Sequence, residues 1–269
     1  MTGKESMPPK EPGAVSEMPA ACRHPAADKS RARFWELDAL RGAAVVAMVF
    51  YHGMWDLAYT GVYRGDLGSL WWHVFARSIA TTFLWLVGMG IVLRADRTPH
   101  GVPPQAWLER GVKLLAWGIA ISLVTRPIFG SPVIAYGVLH FIGTALILAP
   151  LILRCRRWAL PAGLVLLALD PLVARLHPDT YWLLPLGLHP RAYFYVDYFP
   201  IVPWLGVVLL GVWAGPKYLA LRERLVSWPP RAPRWLRPLV FLGRHALIVY
   251  LIHQPLLVAL LTLFGVRFI

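Results

Sequence analysis

Long apolar runs alternate with short polar connectors along most of the chain, and the runs exceed what strands or helices of a water-soluble core require. A helix needs about 20 predominantly apolar residues to cross the hydrocarbon of a bilayer. By that ruler seven segments qualify: 39–59, 72–93, 111–129, 134–153, 158–176, 199–216 and 239–263. Turn signals separate them. The stretch 127–136 (PIFGSPVIAY) turns on Pro127, Gly130, Ser131 and Pro132, and 94–110 (RADRTPHGVPPQAWLER) is a polar connector with three prolines. The pattern predicts an all-α polytopic membrane helical bundle of about seven transmembrane helices, a single domain over 34–269 without internal repeats. Residues 1–33 are rich in Pro, Ala, Lys and Glu and lack the apolar core of a signal peptide, which predicts a disordered cytoplasmic tail.

Composition agrees: 57% of residues are hydrophobic and 15% charged, a balance that points to lipid contact. The net charge of +13 would ordinarily raise nucleic acid as a partner. Its placement removes that reading. Basic residues gather at Lys29, Arg31 and Arg33, then at 94–113 (Arg94, Arg97, Arg110, Lys113), 154–157 (Arg154, Arg156, Arg157) and 217–237 (Lys217, Arg222, Arg224, Arg231, Arg234, Arg237). Those loops all fall on one side of the predicted bundle, which makes that side the cytosol. The opposite loops hold Trp71, Trp72, Tyr181, Trp182, Tyr193, Tyr195 and Tyr198, an outer aromatic belt, so the N-terminus is predicted cytoplasmic and the C-terminus outside. The longest outer loop, 177–198, is large enough to cap a site. Cys22 and Cys155 have no CxxC spacing, which argues against a disulfide framework or a zinc site, and no metal is expected.

Charged side chains deep in a bilayer cost from about 2.5 to more than 10 kcal/mol, so they face the bundle interior and mark function. The stretch LDALRGAAVVAMVFYHGMWDL, 37–57, carries Asp38, Arg41, His52 and Asp56. Arg41 and His52 are eleven residues apart. On a helix that is three turns plus about 20°, with about 16 Å of rise, so the two share a face, and Asp38 and Asp56 fall on it too. Counted at about 1.5 Å per residue, Arg41 lies just inside the inner leaflet and His52 about 20 Å in. The same ruler puts Arg77, His140 and His253 roughly 9 Å from the outer edge. Asp170 lies near that depth, Asp197 just above it, and Arg244 joins Arg41 in the cytoplasmic half. Two polar zones result, one cationic near the cytosol and one rich in histidine and carboxylate toward the outside. Arginine forks suit phosphate groups. Imidazole suits proton transfer at a hydroxyl or amine.

Each residue also has a structural alternative. A lone intramembrane histidine is often a polar link between helices, and Arg41 can be a snorkelling anchor. Asp38 reads as an ion-pair partner that orients Arg41. Asp56 can orient the His52 ring or cap the helix end. Arg77 has no carboxylate within a turn on its own helix and needs a partner such as Asp56 or Asp197. His73 and His245 are further candidates, with Tyr136, Tyr198, Tyr250 and Gln254 as hydrogen-bonding liners.

Four stretches in order, ELDALRGAAVVAMVFYH, YGVLHFIG, YFPIVPWLGVVLLGVWAG and LGRHALIVYLIHQPLL, resemble the bacterial branch of the heparan-α-glucosaminide N-acetyltransferase catalytic-domain family, long labelled a domain of unknown function, over about 34–263. That family sits in a wider group of transmembrane acyltransferases, including the acyltransferase-3 proteins, whose first helix carries an Arg followed about eleven residues later by a His. Arg41 and His52 are similar to that pattern. The resemblance implies transfer of an acyl group, typically acetyl, from cytosolic acetyl-CoA to an amino sugar or sugar hydroxyl outside a bacterial inner (cytoplasmic) membrane. Its implied partners are the lipid bilayer, acyl-CoA and a carbohydrate or lipid-linked sugar acceptor. The animal lysosomal members carry Asn at the position of His52 and a catalytic His in the loop before the second helix, where His73 is nearest.

Zoning and resemblance together assign His52, Asp56, His140 and His253 as catalytic candidates, and Arg41 and Arg244 as binders of the acetyl-CoA phosphates. Arg77, Asp170, Asp197, Tyr198 and Gln254 are candidates for holding the acceptor. In this scheme His52 removes the acceptor's proton, and direct attack and a covalent acyl-histidine are both open. Two rival classes stand beside it. A haem-binding redox protein would use the intramembrane histidines as bis-imidazole ligands but leaves Arg41, Arg77 and Arg244 without a role. A small-molecule transporter would use intramembrane charge and proline-bearing helices, although seven helices without repeats make inverted symmetry hard to build. Self-association into a homo-oligomer is left open.

Overall fold

The computed structural model describes residues 33–129, 135–191, 197–225, 229 and 231–266. Residues 1–32 of the tail expected over 1–33, with Cys22, the turn residues Gly130, Ser131 and Pro132, and the belt residues Tyr193 and Tyr195 lie outside the described residues. The helical unit comprises Phe34–Ile269. Its helices are α1 (Trp35–Tyr59), α2 (Leu70–Arg97), α3 (Pro104–Phe129), α4 (Val138–Ile147), α5 (Ala149–Arg154), α6 (Ala159–Ala168), α7 (Asp170–Val173), α8 (Ile201–Arg224), α9 (Arg237–Arg244) and α10 (Ala246–Leu263). Apart from an isolated bridge between Tyr136 and Tyr198, the described residues contain no β-structure.

Among the described residues, α2, α8 and α10 are long and apolar enough to cross a membrane. The other expected segments are helical but built differently. The first lies within α1, which carries Glu36, Asp38, Arg41 and Asp56, and the third lies within α3. The segments 134–153 and 158–176 each consist of two helical pieces meeting at one residue, Leu148 and Leu169. Each junction stands two residues before a proline, Pro150 or Pro171, whose missing N–H removes the bond that would continue the helix. The segment 239–263 divides likewise at His245 between α9 and α10. The connector expected over 94–110 is shorter, because α2 runs to Arg97 and α3 already starts on Pro104, a residue suited to a helix's first turn.

Helix packing follows backbone proximity. α2 runs along α8, α9 along α1, α3 along α4 and α6 along α8, while α1 also touches α2 and α10. Lipid tails are as apolar as leucine, so close packing rather than the hydrophobic effect holds such helices together. The main crossings are built on glycines facing each other: Gly88 and Gly211 between α2 and α8, Gly42 and Gly243 between α1 and α9, Gly111 and Gly143 between α3 and α4, Gly163 and Gly206 between α6 and α8. A Cβ on Gly88 would overlap the Val208 carbonyl, and one on Gly211 the Trp85 carbonyl. Around the α2–α8 contact sits the core: Leu84, Ile91, Val208 and Phe141 form one cluster, Met89, Val92, Leu209 and Val212 a second. α10 differs from the rest. It buries little of its surface and leans on α1.

Candidate functional site

The α1–α9 crossing assembles the cationic zone. Gly243 packs on the carbonyl of Asp38, and Gly42 on that of Leu239, so the two backbones touch where Asp38 and Arg244 emerge. Asp38 is 5% exposed, and its oxygens are both engaged. Oδ1 accepts from Nη1 of Arg41 at 2.8 Å, and Oδ2 from Nε of Arg244 at 3.4 Å. One buried carboxylate therefore gathers the two arginines expected to meet phosphates. Their guanidinium groups stay partly open, so the cluster carries one net positive charge toward solvent. Nearby, Glu36 accepts from Nε of Arg222, while Arg97 and Arg222 lie 4.3 and 5.0 Å from the Phe34 ring centroid. Glu36 and Arg222 are far apart in the chain, and no local pattern announces their pairing.

The second expected zone, rich in histidine and carboxylate, has its counterpart where α10 leans on α1. Gln254 donates from Nε2 to Oδ1 of Asp56 at 2.7 Å, and the rings of His52 and His253 lie 4.9 Å apart. Asp56 is thus engaged by Gln254 and makes no hydrogen bond to His52, so of the two readings open for it the structure gives no bond that would orient that ring. Nδ1 of His253 lies 2.6 Å from the carbonyl oxygen of Tyr250. A carbonyl only accepts, so Nδ1 carries the hydrogen, and in the neutral ring Nε2 holds a bare lone pair. That Nε2 is shielded and has no partner among the described residues, and the same holds for Oδ2 of Asp56 and Oε1 of Gln254. Three acceptors without protein donors among the described residues thus stand on one pair of helices. Such orphaned groups in a folded protein call for an explanation, catalytic or ligand-related.

His140 has the opposite tautomer. It is the third residue of α4, and its Nδ1 accepts from the N–H of Gly137 at 3.3 Å, which leaves the proton of the neutral ring on Nε2. Gly118 of α3 makes room for that ring, since a Cβ there would come within 2.9 Å of Nδ1. Asp197 connects the two histidine-bearing helices. Its Oδ2 accepts from the N–H of Val138 at 3.2 Å and from the hydroxyl of Tyr250 at 3.3 Å. Tyr198 turns away, donating its hydroxyl to the carbonyl of Leu184 at 2.8 Å.

Burial pushes the Asp197 carboxyl up to about 6, against the lowering effect of its two hydrogen bonds. An acid whose pKa rises on folding contributes stability that is full below its unfolded value, 3.8, and is lost as pH rises through about 6. Asp197→Asn is therefore expected to flatten the Tm–pH curve between about pH 4 and 6 relative to the wild-type chain. Equal slopes in that window would contradict the assignment.

Several expected site residues are not brought in. Arg77 is exposed and forms no ion pair among the described residues, so the partnership expected with Asp56 or Asp197 is not made. Asp170 heads the short helix α7, half-buried and away from both clusters of hydrogen-bonded site residues. His73 and His245 are exposed, their Nδ1 atoms bonded to the carbonyls of Ser69 and Phe241. Among the described residues, no group of three or more His, Cys, Asp or Glu is arranged to hold a metal ion.

No curated protein and no solved structure matches the chain. The family model described as heparan-alpha-glucosaminide N-acetyltransferase, catalytic, matches residues 33–255. That span takes in both polar zones, from Asp38 and Arg41 on α1 to His253 and Gln254 on α10. With most of its length covered, the chain belongs to the heparan-alpha-glucosaminide N-acetyltransferase catalytic-domain family, a family of acetyltransferases.

Proposed function

We propose that the chain moves an acetyl group from cytosolic acetyl-CoA to the amine, or a hydroxyl, of an envelope sugar on the far side of a bacterial inner membrane. In this reading the bundle has about seven spans, with the N-terminus inside and the C-terminus outside. The observation that carries the proposal is the outer cluster: a histidine with its lone pair fixed at Nε2, set among two further acceptors that lack donors. An amine or hydroxyl nucleophile supplies the N–H or O–H donors that such a cluster needs.

Arg41 and Arg244, gathered on Asp38, meet the phosphates of the donor, and its pantetheine arm carries the thioester toward the outer zone. The acceptor nitrogen attacks the thioester carbonyl carbon while its proton passes to Nε2 of His253. The C–S bond breaks, and the coenzyme sulfur leaves with the electron pair and takes up that proton. His140, whose Nε2–H is a donor, stabilises the negative charge developing on the carbonyl oxygen. Asp56 and Gln254 hold the acceptor, and His52 lines the same space. Because the three orphaned acceptor atoms are shielded, substrate reaches them when α10 moves away from α1.

Asp38→Ala is expected to raise KM for acetyl-CoA roughly ten- to a hundredfold, since it releases the two arginines, each of whose charge-assisted hydrogen bonds to phosphate contributes about 1.5–3 kcal/mol. Initial rates of thiol release over a range of acetyl-CoA concentrations measure this. An unchanged KM would separate Asp38 from donor binding. The reaction itself is tested with purified protein, acetyl-CoA and a panel of glucosamine and glucose, following coenzyme thiol and acetylated sugar. Stoichiometric product is expected with the amino sugar, and folded protein that turns over neither sugar would count against the proposal.

A further inference from the structure

We infer that Asp197 is a positioning residue, whose Oδ2 holds α4 through the amide of Val138 and α10 through the hydroxyl of Tyr250, and so places His253 relative to His140. The inference rests on the proposed reaction for its kinetic consequence, but the bonds it invokes are observed.

α10 needs such a clamp. Because the helix buries little of its surface, side-chain packing constrains its rotation and depth only weakly. Two polar bonds fix both more firmly, Gln254 to Asp56 on α1 and Tyr250 to Asp197 just before the start of α8. They sit one helical turn apart, and His253 lies within that turn, bonded through Nδ1 to the carbonyl of Tyr250 itself. A roll of about 20° would carry a ring roughly 6 Å from the helix axis through about 2 Å. A misplacement of 1 Å is enough to cost about 10²-fold in rate.

On the other side, Val138 is the first residue of α4, and its N–H is one of the amides a helix start leaves unbonded. A carboxylate there is doubly suited, accepting that N–H and facing the positive end of the helix. The clamp has a stiff base, because the N–H of Phe199 donates to the carbonyl of Tyr136 at 2.9 Å and so ties 197–199 to the strand-like residues before α4. His140 lies two residues beyond Val138. One oxygen atom thus references both the histidine that offers a lone pair and the one that offers an N–H.

The test compares Tyr250→Phe, Asp197→Asn and Asp197→Ala in purified full-length protein. Tyr250→Phe and Asp197→Ala are each expected to lower kcat about tenfold with KM for acetyl-CoA unchanged, and the double variant Tyr250→Phe/Asp197→Ala to be no worse than Asp197→Ala. Asp197→Asn keeps an oxygen that accepts from both donors and is expected to stay within about threefold of wild-type kcat. An Asn variant as slow as the Ala variant would show that the charge acts on substrate directly and would overturn the inference, as would full activity in Tyr250→Phe. A second readout does not depend on catalysis. Amide hydrogen exchange across 246–263 is expected to speed up in Tyr250→Phe but not in His253→Gln, and unchanged exchange in Tyr250→Phe would overturn the clamp. Absence of any acetyl transfer by the wild-type protein would count against the proposed reaction instead, and the exchange measurement would still decide the clamp.

Discussion

Purified protein carrying His253→Gln is expected to transfer acetyl groups about 10²–10⁴ times more slowly than the wild-type chain, the range typical for loss of a general base. Glutamine approximates the size of the ring and retains a hydrogen-bonding end, but it cannot take up a proton. The structure distinguishes this histidine from its neighbour. His253 has its hydrogen held at Nδ1 by the Tyr250 carbonyl, so the lone pair of the neutral ring is at Nε2, whereas His52 makes no hydrogen bond among the described residues that would select a tautomer. His52→Gln is accordingly expected to cost less, about tenfold. Single-turnover rates of the two variants separate the roles, because they report chemistry rather than product release. A severe loss in His52→Gln beside a mild one in His253→Gln would reverse the assignment and return the base to the residue that the R-x10-H spacing singles out.

The second large effect is structural. Gly88→Val is expected to destabilise the protein by at least about 3 kcal/mol, since backbone overlap exceeds ordinary core overpacking. For a chain of this size that corresponds to a fall in Tm of roughly 6–12 °C, or to loss of monodisperse protein. A side chain at Gly88 points at the Val208 carbonyl, a group anchored in the middle of α8, and neither helix can yield without parting from the other. Parting them loosens the Leu84, Ile91 and Val208 contacts, and a gap of 0.5–1 Å already forfeits about a quarter to a half of the dispersion energy of each atom pair. The control lies two residues away on the same helix. Gly90 has open space where its Cβ would be, so Gly90→Val is expected to leave Tm within about 2 °C of wild type. Equal effects from the two substitutions would show that helix propensity, not the crossing, governs the outcome.

These residues show what could be read from the chain beforehand. The division into apolar segments was legible, but the breaks at Leu148 and Leu169 were not, since 134–153 and 158–176 each read as one span and proline alone does not say which helices divide. Depth counting brought His52 and His253 to one level, and they do meet, because both face the α1–α10 contact. The same count placed Arg77 at that level too, yet Arg77 is exposed. Depth along a helix does not give its rotation, which is decided by where small residues let neighbours approach. Asp38 with Arg41 was readable from their i, i+3 spacing, while Arg244 on the same carboxylate depends on Gly42 meeting Gly243. Asp197 was read as a contact for substrate because its depth and charge were visible. Its actual bonds run to a backbone amide and a phenol from two other helices, and no spacing in the sequence encodes them.

The central claim is that the acetyl group crosses the bilayer between two zones of one bundle, donor arginines at one end and the histidine pair at the other. Proteoliposomes with the protein in a known orientation, glucosamine enclosed on the outer-zone side and acetyl-labelled acetyl-CoA added only on the arginine side, test it directly. The prediction is labelled N-acetylglucosamine inside the vesicles with free coenzyme thiol remaining outside. Coenzyme appearing with the product inside, or labelled product forming only when donor and acceptor share a compartment, would contradict it.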